Sequence, residues 1–331
     1  MTGRAVVPTP DPASDVAGLA DAHRPVVDAV VVTYASRDDV GPCLASLQAV
    51  EGMGTVVVVD HGDDGSDQVA AAMGALVVRD PANPGFGAGH NRGVTLTDAR
   101  YVLLMNPDAT LVPGAVEAGI ALLDSRPDVA ACQGVIVDEA TGSSERSHGV
   151  LLGPVHLWGR ALRLRPLLRW GPVQALVRRL PGLADHVERV PDGPVDTDAL
   201  GATALLVRRE AFEAVGGFDE RFFLYGEDMD LSKRWTETGW RLVALPHPWA
   251  VHHAGASSRS SWQREVEWWR GAMTFAATWY PQGAWAAAFG ASMVRSVTLG
   301  ARRPSQFVSA WRSMVVAPLQ TRSVPRPSRS G

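Results

Sequence analysis

The chain is poor in cysteine and lysine, which narrows what it can be. Its two cysteines, Cys43 and Cys132, stand far apart in apolar stretches. A disulfide framework or a thiolate metal cage needs more of them, more closely spaced. Both read as reduced core residues in a reducing compartment. Lys233 is the single lysine beside many arginines, an imbalance we read as genomic composition rather than function. No acidic residue follows Glu267, while Arg270, Arg295, Arg302, Arg303, Arg312, Arg322, Arg326 and Arg329 do. The longest late apolar stretch, Ala284 to Val294, is too short to span a bilayer. Met1 to Arg24 is rich in Pro, Ala and Asp without an apolar segment, so residues 1–27 read as a disordered leader rather than a signal peptide. A net charge of -4 excludes a general polyanion binder, and no nucleic acid partner is expected. The expected location is cytoplasmic, or peripheral on the inner face of the cell membrane.

What is present is ordinary globular composition. The 331 residues are 46% hydrophobic and 20% charged, enough for one large α/β domain or two small ones. Apolar runs at Asp28–Tyr34, Thr55–Asp60, Ala75–Arg79 and Tyr101–Met105 lack period-two alternation, so they predict strands covered on both faces. An amphipathic helix is predicted over Asp38–Val50, with Val40, Leu44 and Leu47 inward. Thr33, Asp60 and Asp108 each follow such a run, and ligands in such sheets bind beyond the carboxyl ends of strands. Further strands are predicted at Gly201–Val207 and Arg241–Leu245, the latter ending at Pro246, with Val251–Gly255 as a loop. Helices are predicted at Arg209–Ala214, at Glu227–Glu237 with Leu231 and Trp235 inward, and over Trp262–Ser313. Residues 145–195, rich in Arg, Trp, Leu, Gly and Pro, read as a mobile insertion with short basic amphipathic helices. Residues 259–323 form a Trp- and Arg-rich helical region, and 324–331 a disordered tail.

Three motifs carry chemistry. The block from Gly216 to Leu231 holds five carboxylates within a dozen residues, interleaved with aromatics. Acids beside large apolar side chains suggest a pocket wall that tunes a carboxyl toward base chemistry. The plain alternative is that Glu227 and Asp228 complement a helix dipole. Asn83–Gly93 is a glycine-rich loop entering a helix, suited either to phosphate approach or to a tight turn. It is neither a P-loop nor a dinucleotide fingerprint, which disfavours a Rossmann oxidoreductase. Asn106-Pro107-Asp108 after a buried-type strand is a candidate for a hard cation, with His252 or His253 as a possible nitrogen ligand; solvated surface is the alternative for the histidine pair. The loop from Asp60 to Ser66 can be a βα turn with Ser66 as helix cap, a nucleotide contact, or both.

In this order the pieces resemble the inverting nucleotide-sugar transferases of glycosyltransferase family 2, over about Asp28 to Ser258. They are most similar to the rhamnosyltransferase branch, and the basic insertion and Trp-rich tail resemble its actinobacterial members that use a lipid-linked acceptor. The matching residues are Thr33-Tyr34, Asp60, Asn83 to Gly93, Asn106 to Asp108, Gly201-Ala202, Gly216 to Leu231 and His252. The resemblance implies a GT-A fold over residues 28–258: a Rossmann-like mixed sheet with helices on both faces, here followed by C-terminal helices. It implies a dTDP- or UDP-sugar donor, with dTDP-rhamnose the leading choice, and a polyprenyl-diphosphate-linked sugar or other glycan acceptor in cell-wall polysaccharide synthesis. Thr33, Tyr34, Asp60, Asn83, Gly87, Asn91, Arg92, Asn106 and Asp108 would bind the donor. Gly201, Ala202, Tyr225 and Asp230 would face the acceptor. Asp108 with His252 or His253 would hold Mg²⁺ or Mn²⁺, and Asp228, beside Glu227, would be the general base. Ala35, His61 and His90 replace the family's usual asparagines near the expected nucleotide base, bearing on UDP against dTDP. A peripheral contact with anionic membrane is expected through the arginines and tryptophans. The rival expectation, a non-catalytic sugar-nucleotide- or glycan-binding module on the same scaffold, predicts loss of Asp108 or Asp228, and both are present.

Overall fold

The structure, a computed structural model, describes residues 26–145, 148–164, 192–253, 261–302, 305 and 307–316. The expected leader, the tail and most of the expected insertion lie outside these residues.

The first half alternates strand and helix. Strands β1 (Val27–Thr33), β2 (Met53–Asp60), β3 (Leu76–Arg79) and β4 (Tyr101–Met105) are connected by helices α1 (Arg37–Gln48), α2 (Ser66–Ala72) and α3 (Phe86–Val94). β1 pairs in parallel with β2 and with β4, and β2 with β3. Along β1, Ala29 and Val31 face one core while Val30 and Val32 face the other. That two-sided burial explains why the run shows no alternation.

Strand β5 (Ala109–Leu111), helix α4 (Ala115–Ser125) and strand β6 (Val129–Asp138) follow, then the short strands β7 (Ser144–Glu145) and β8 (His148–Gly149) and helix α5 (Pro154–Ala161). After the undescribed segment come β9 (Val195–Thr197), β10 (Ala199–Leu200), β11 (Ala204–Arg208), α6 (Arg209–Ala214), α7 (Glu227–Glu237) and β12 (Arg241–His252). The main sheet runs β3–β2–β1–β4–β11–β6–β12–β5, with β7 beside β6 and β9 beside β12; β8 and β10 form a separate pair. β11 is antiparallel to both β4 and β6. The parallel half therefore ends at β4, and the carboxyl end of β4 meets the start of β11.

Three expectations need correction. The last strand does not end at Pro246: β12 continues to His252, so Val251 and His252 are strand, not loop. Its pairing with β6 shifts register around Pro248, and a bulge is where a sheet tolerates a residue without an N–H. Gly134 of β6 makes room, since a Cβ there would lie 2.6 Å from the His247 carbonyl. Gly201 and Ala202 lie ahead of β11 rather than within it. The expected helix cap also moves: α2 follows Gly65, and Ser66 donates its hydroxyl to Asp64 at 2.6 Å.

Helices α8 (Ser261–Trp279) and α9 (Gln282–Arg302), with Met314 and Val315 of the π-turn Arg312–Val316 that follows α10 (Phe307–Trp311), form a third core with α5. Glu265 joins this unit: Arg160, Arg295 Nε and the Trp269 indole all donate to it. Trp158, Trp262, Trp268 and Trp285 pack on this core and Trp269 lies fully buried within it. No described helix is long and apolar enough to cross a membrane.

Glycines of α3 set its distance from the sheet. A Cβ on Gly93 would collide with a methyl of Val30, deep in β1. Gly93→Ala is therefore expected to destabilise the fold by about 1–3 kcal/mol through overpacking. An unchanged urea midpoint would contradict this packing.

Candidate active site

The strand ends carry the first polar group. Asp60 is fully buried at the end of β2; its carboxylate accepts from Thr33 Oγ1 at 2.7 Å, Gly62 N at 3.2 Å and Arg79 Nη1 at 2.8 Å. Arg79 also pairs with Asp67. Tyr34, by contrast, is 48% exposed beside the same strand end. Ala35 follows with φ 54, in the left-handed region that asparagine adopts more easily than alanine. Asn83 sits in the same region at φ 46.

The glycine-rich segment packs closely. A Cβ on Gly87 would lie 2.8 Å from Phe218, and one on Gly89 would lie 2.8 Å from His61 Nε2. Asn91 clamps the acidic block: its Nδ2 donates to Phe218 O at 2.9 Å and Glu220 Oε1 at 3.0 Å, and its Oδ1 accepts from Phe218 N at 2.8 Å. Arg92 pairs with Asp80 at 3.1 Å. His90 lies buried between Phe86 and Phe218, and burial drives its pKa down to about 3, so it is neutral. His61, also buried, meets the Asp80 carbonyl through Nδ1 at 2.7 Å.

Asn106 donates its backbone N–H to Thr203 O at 2.8 Å, tying the β4 end to the turn before β11. Asp108 then faces β12: His252 Nε2 lies 3.2 Å from Asp108 Oδ1. His253 is held otherwise. Its backbone N–H donates to Asp108 O at 2.8 Å, while its ring meets Thr110 Oγ1 at 3.2 Å and Glu139 Oε2 at 2.7 Å. Among the described residues no three or more His, Cys, Asp or Glu side chains group as a metal cage. Asp108 and His252 offer one oxygen and one nitrogen donor side by side. That fits a divalent cation completed by substrate oxygens and water rather than a closed all-protein site.

Across the same edge, Glu227 and Asp228 open α7. Gly226 precedes them with φ 90, and Tyr225 with φ 66. Burial pushes the carboxyl pKa of both upward; for Glu227 the neighbouring Asp228 charge adds to it. Backbone N–H groups of Met229 and Ala202 work against that shift at Asp228, Met229 N at 2.8 Å. Ala202 thus touches Asp228 through its backbone. Gln133 of β6 fixes this turn, donating from Nε2 to Gly201 O and Ala204 O, both at 2.9 Å. Asp230 is almost fully buried: Arg234 Nε donates to Oδ2 at 2.7 Å and Trp279 Nε1 to Oδ1 at 2.8 Å. The structure thus gathers Asp108, His252, Ala202, Glu227 and Asp228 around the β4–β11 junction, while Asp60 and Asn91 spend their side chains on holding neighbouring loops. Gln133, Arg79 and Trp279 are additions that the sequence pattern did not single out. A lone Gln in the apolar run Val129–Val137 was the available signal for the first.

The Glycosyl transferase family 2 profile matches residues 28–176, and a second, described as the N-terminal domain of galactosyltransferase, matches residues 191–254. The N-acetylglucosaminyl-diphospho-decaprenol L-rhamnosyltransferase of Mycobacterium tuberculosis is 33% identical over 254 residues, 70% of this chain and 78% of that protein. The chain belongs to glycosyltransferase family 2. It is a glycosyltransferase with a GT-A fold. The rhamnosyltransferase WbbL of Escherichia coli K12 is 23% identical over 72% of this chain and 88% of its own length. Among solved structures, the Pyrobaculum calidifontis mannosyltransferase PcManGT with GDP-Man and Mn²⁺ shares the fold at TM-score 0.52 and 15% identity, covering 90% of this chain and 87% of that one. The S. aureus TarS fragment 1–349 shares it at TM-score 0.50 and 13% identity, over 90% of this chain and 81% of its own.

The raised pKa of buried Glu227 gives this glycosyltransferase a signed pH dependence. A carboxyl whose folded pKa is raised stabilises the fold below its unfolded value and loses that contribution as pH climbs through the folded one. Glu227→Gln removes one such group. Its melting temperature is expected to gain on wild type progressively as pH rises from about 5 to about 8. A difference that is flat or falls with pH would contradict the raised pKa.

Proposed function

We propose that this glycosyltransferase is an inverting, divalent-cation-dependent hexosyltransferase moving L-rhamnose from dTDP-rhamnose to a polyprenyl-diphosphate-linked sugar in cell-wall polysaccharide synthesis. The observation that carries the reading is the juxtaposition, at one sheet edge, of the Asp108–His252 pair with the half-buried carboxyl of Asp228, whose pKa is raised. The rhamnosyl group and the diphospho-decaprenol acceptor in the mycobacterial relative's name supply the substrate classes.

In this reading Asp108 and His252 hold Mg²⁺ or Mn²⁺. When bound, the cation neutralises charge gathering on the leaving diphosphate. Asp228 takes the proton of the acceptor hydroxyl as that oxygen bonds to the anomeric carbon and the carbon–oxygen bond to the diphosphate breaks. One attack from the opposite face inverts the centre. A raised pKa makes Asp228 a stronger proton acceptor, and general-base help of this kind contributes about 10²–10⁴ in rate. Ala202 N–H steadies its carboxylate. Thr33, Tyr34, Asp60, Asn83, Gly87, Asn91, Arg92 and Asn106 belong to the donor side, in part by shaping loops rather than by touching donor. Gly201, Ala202 and Tyr225 belong to the acceptor side, and Asp230 serves that side by anchoring α7 through Arg234 and Trp279 rather than by touching acceptor. The enzyme works at the cytoplasmic face of the membrane, its acid-free, Arg-bearing C-terminal region meeting anionic lipid.

The test is a donor panel of dTDP-rhamnose, UDP-glucose, UDP-galactose and UDP-N-acetylglucosamine. It is run against a polyprenyl-diphosphate-linked N-acetylglucosamine acceptor in anionic liposomes, with product anomers read by NMR. Transfer from dTDP-rhamnose with inversion, and protein sedimenting with the liposomes, is the expected result. Preferred transfer from a UDP-sugar would overturn the donor, retention the mechanism, and protein left in the supernatant the membrane contact.

A further inference from the structure

We infer that helix α8 positions the base: Gly271 and Trp279 hold the left-handed turn Tyr225–Gly226 and the first turn of α7, and so aim Asp228. The inference rests on the reading of Asp228 as general base and names the residues that make it effective.

Tyr225 and Gly226 are consecutive residues at positive φ, 66 and 90, directly before Glu227 and Asp228. For a tyrosine this conformation costs about 1–2 kcal/mol. Strain of that kind persists only where surrounding structure over-determines it. The surrounding structure here is the backbone of α8. A Cβ on Gly271 would land on the Tyr225 carbonyl, and a Cβ on Gly226 would lie 3.0 Å from the Gly271 carbonyl oxygen. The two backbones touch with no side chain between them. Eight residues further along α8, Trp279 Nε1 donates to Asp230 Oδ1 at 2.8 Å. Arg234 Nε holds the other Asp230 oxygen at 2.7 Å, and Arg234 Nη1 donates to Val215 O and Gly217 O. Arg270 lies 5.6 Å over the Phe223 ring, and Lys233 5.7 Å over that of Trp279.

Helix α8 therefore grips the chain on both sides of Asp228, at residues 225–226 before it and at 230 after it. Asp228 itself is held by backbone N–H groups of Met229 and Ala202, which fix its carboxylate only while α7 keeps its place against the β4–β11 junction. A misplacement of about 1 Å at a reacting group costs up to about 100-fold in rate. Gly271 and Trp279 act through Asp228 and are positioning residues. The C-terminal helices are thus part of the catalytic apparatus, joined to it at two points.

The test compares Trp279→Phe, Gly271→Ala and Asp228→Asn in the full chain. It measures turnover with the active donor and, by calorimetry, the affinity for dTDP with Mn²⁺. Trp279→Phe keeps an aromatic ring and removes the N–H; Gly271→Ala forces the two backbones apart. Both are expected to lower kcat by roughly 10- to 100-fold while dTDP affinity stays within about twofold. If Gly271→Ala does not fold, Trp279→Phe decides alone. A folded Trp279→Phe enzyme with wild-type kcat overturns the inference, as does a parallel fall of kcat and dTDP affinity, which marks general loosening. Wild-type turnover in Asp228→Asn would instead overturn the base assignment. An inactive Asp228→Asn beside fully active Trp279→Phe and Gly271→Ala would leave the base in place and remove only the positioning role.

Discussion

Two adjacent carboxyl groups at the start of one helix, Glu227 buried and Asp228 half-buried, are the constraint on which this site depends. Burying Glu227 and Asp228 side by side is costly unless protons, backbone N–H groups or counter-charges offset the loss of hydration. The chain supplies these from several directions. Ala202 and Met229 offer N–H groups to Asp228. Gln133 fixes the turn that carries Ala202, Asn91 clamps the segment at Phe218, and Arg234 closes the loop below. Met229 and Arg234 belong to α7 itself, while Ala202, Gln133 and Asn91 come from the turn before β11, from β6 and from α3. The pair is therefore a property of the assembled fold and not of its own helix alone.

The sheet determines where that pair faces. Strands β1 to β4 run parallel and bring polar ends to one edge, and the antiparallel β11 begins where β4 ends. Asn106 N–H to Thr203 O closes this junction, so the Asp108 loop and the Ala202 turn share one wall. Strand β12 then carries His252 to Asp108 from the far side of the sheet. The bulge at Pro248 lets a strand with two prolines run that far. The Asp108–His252 pair and the Glu227–Asp228 pair thus border the same junction, the first from the turn after β4 and the end of β12, the second from the start of α7.

Much of this was legible in the sequence. Runs of Val and Leu without alternation marked the covered strands, and Tyr101–Met105, Arg209–Ala214 and Glu227–Glu237 fall where the pattern put them. Leu231 and Trp235 turn inward as their spacing requires. The acidic block stood out because acids and aromatics rarely alternate without a pocket. Other features were hidden because their signals are not local. Pro246 and Pro248 read as a strand end, and only the glycine opposite, Gly134, lets β12 pass them. The two neighbouring histidines look alike in sequence, yet strand β12 turns His252 to Asp108, while Thr110 and Glu139 hold the ring of His253. Asn91 and the glycines of α3 looked like ligand groups; in the fold they set distances between a helix, a strand and the acidic loop. The grip of Gly271 and Trp279 on α7 spans some fifty residues of chain and leaves no periodic trace.

The central claim is that donor diphosphate and base meet at the β4–β11 edge, with Asp108 and His252 on the donor side. Crystals soaked with dTDP and Mn²⁺ test it most directly through the manganese anomalous signal. The account predicts one strong peak within about 2.0–2.3 Å of an Asp108 oxygen and His252 Nε2, values typical of divalent metal–ligand distances, with the diphosphate lying between that peak and Asp228. A peak held by His253 and Glu139, or a diphosphate lodged on the α3 glycines with no metal at Asp108, would contradict it.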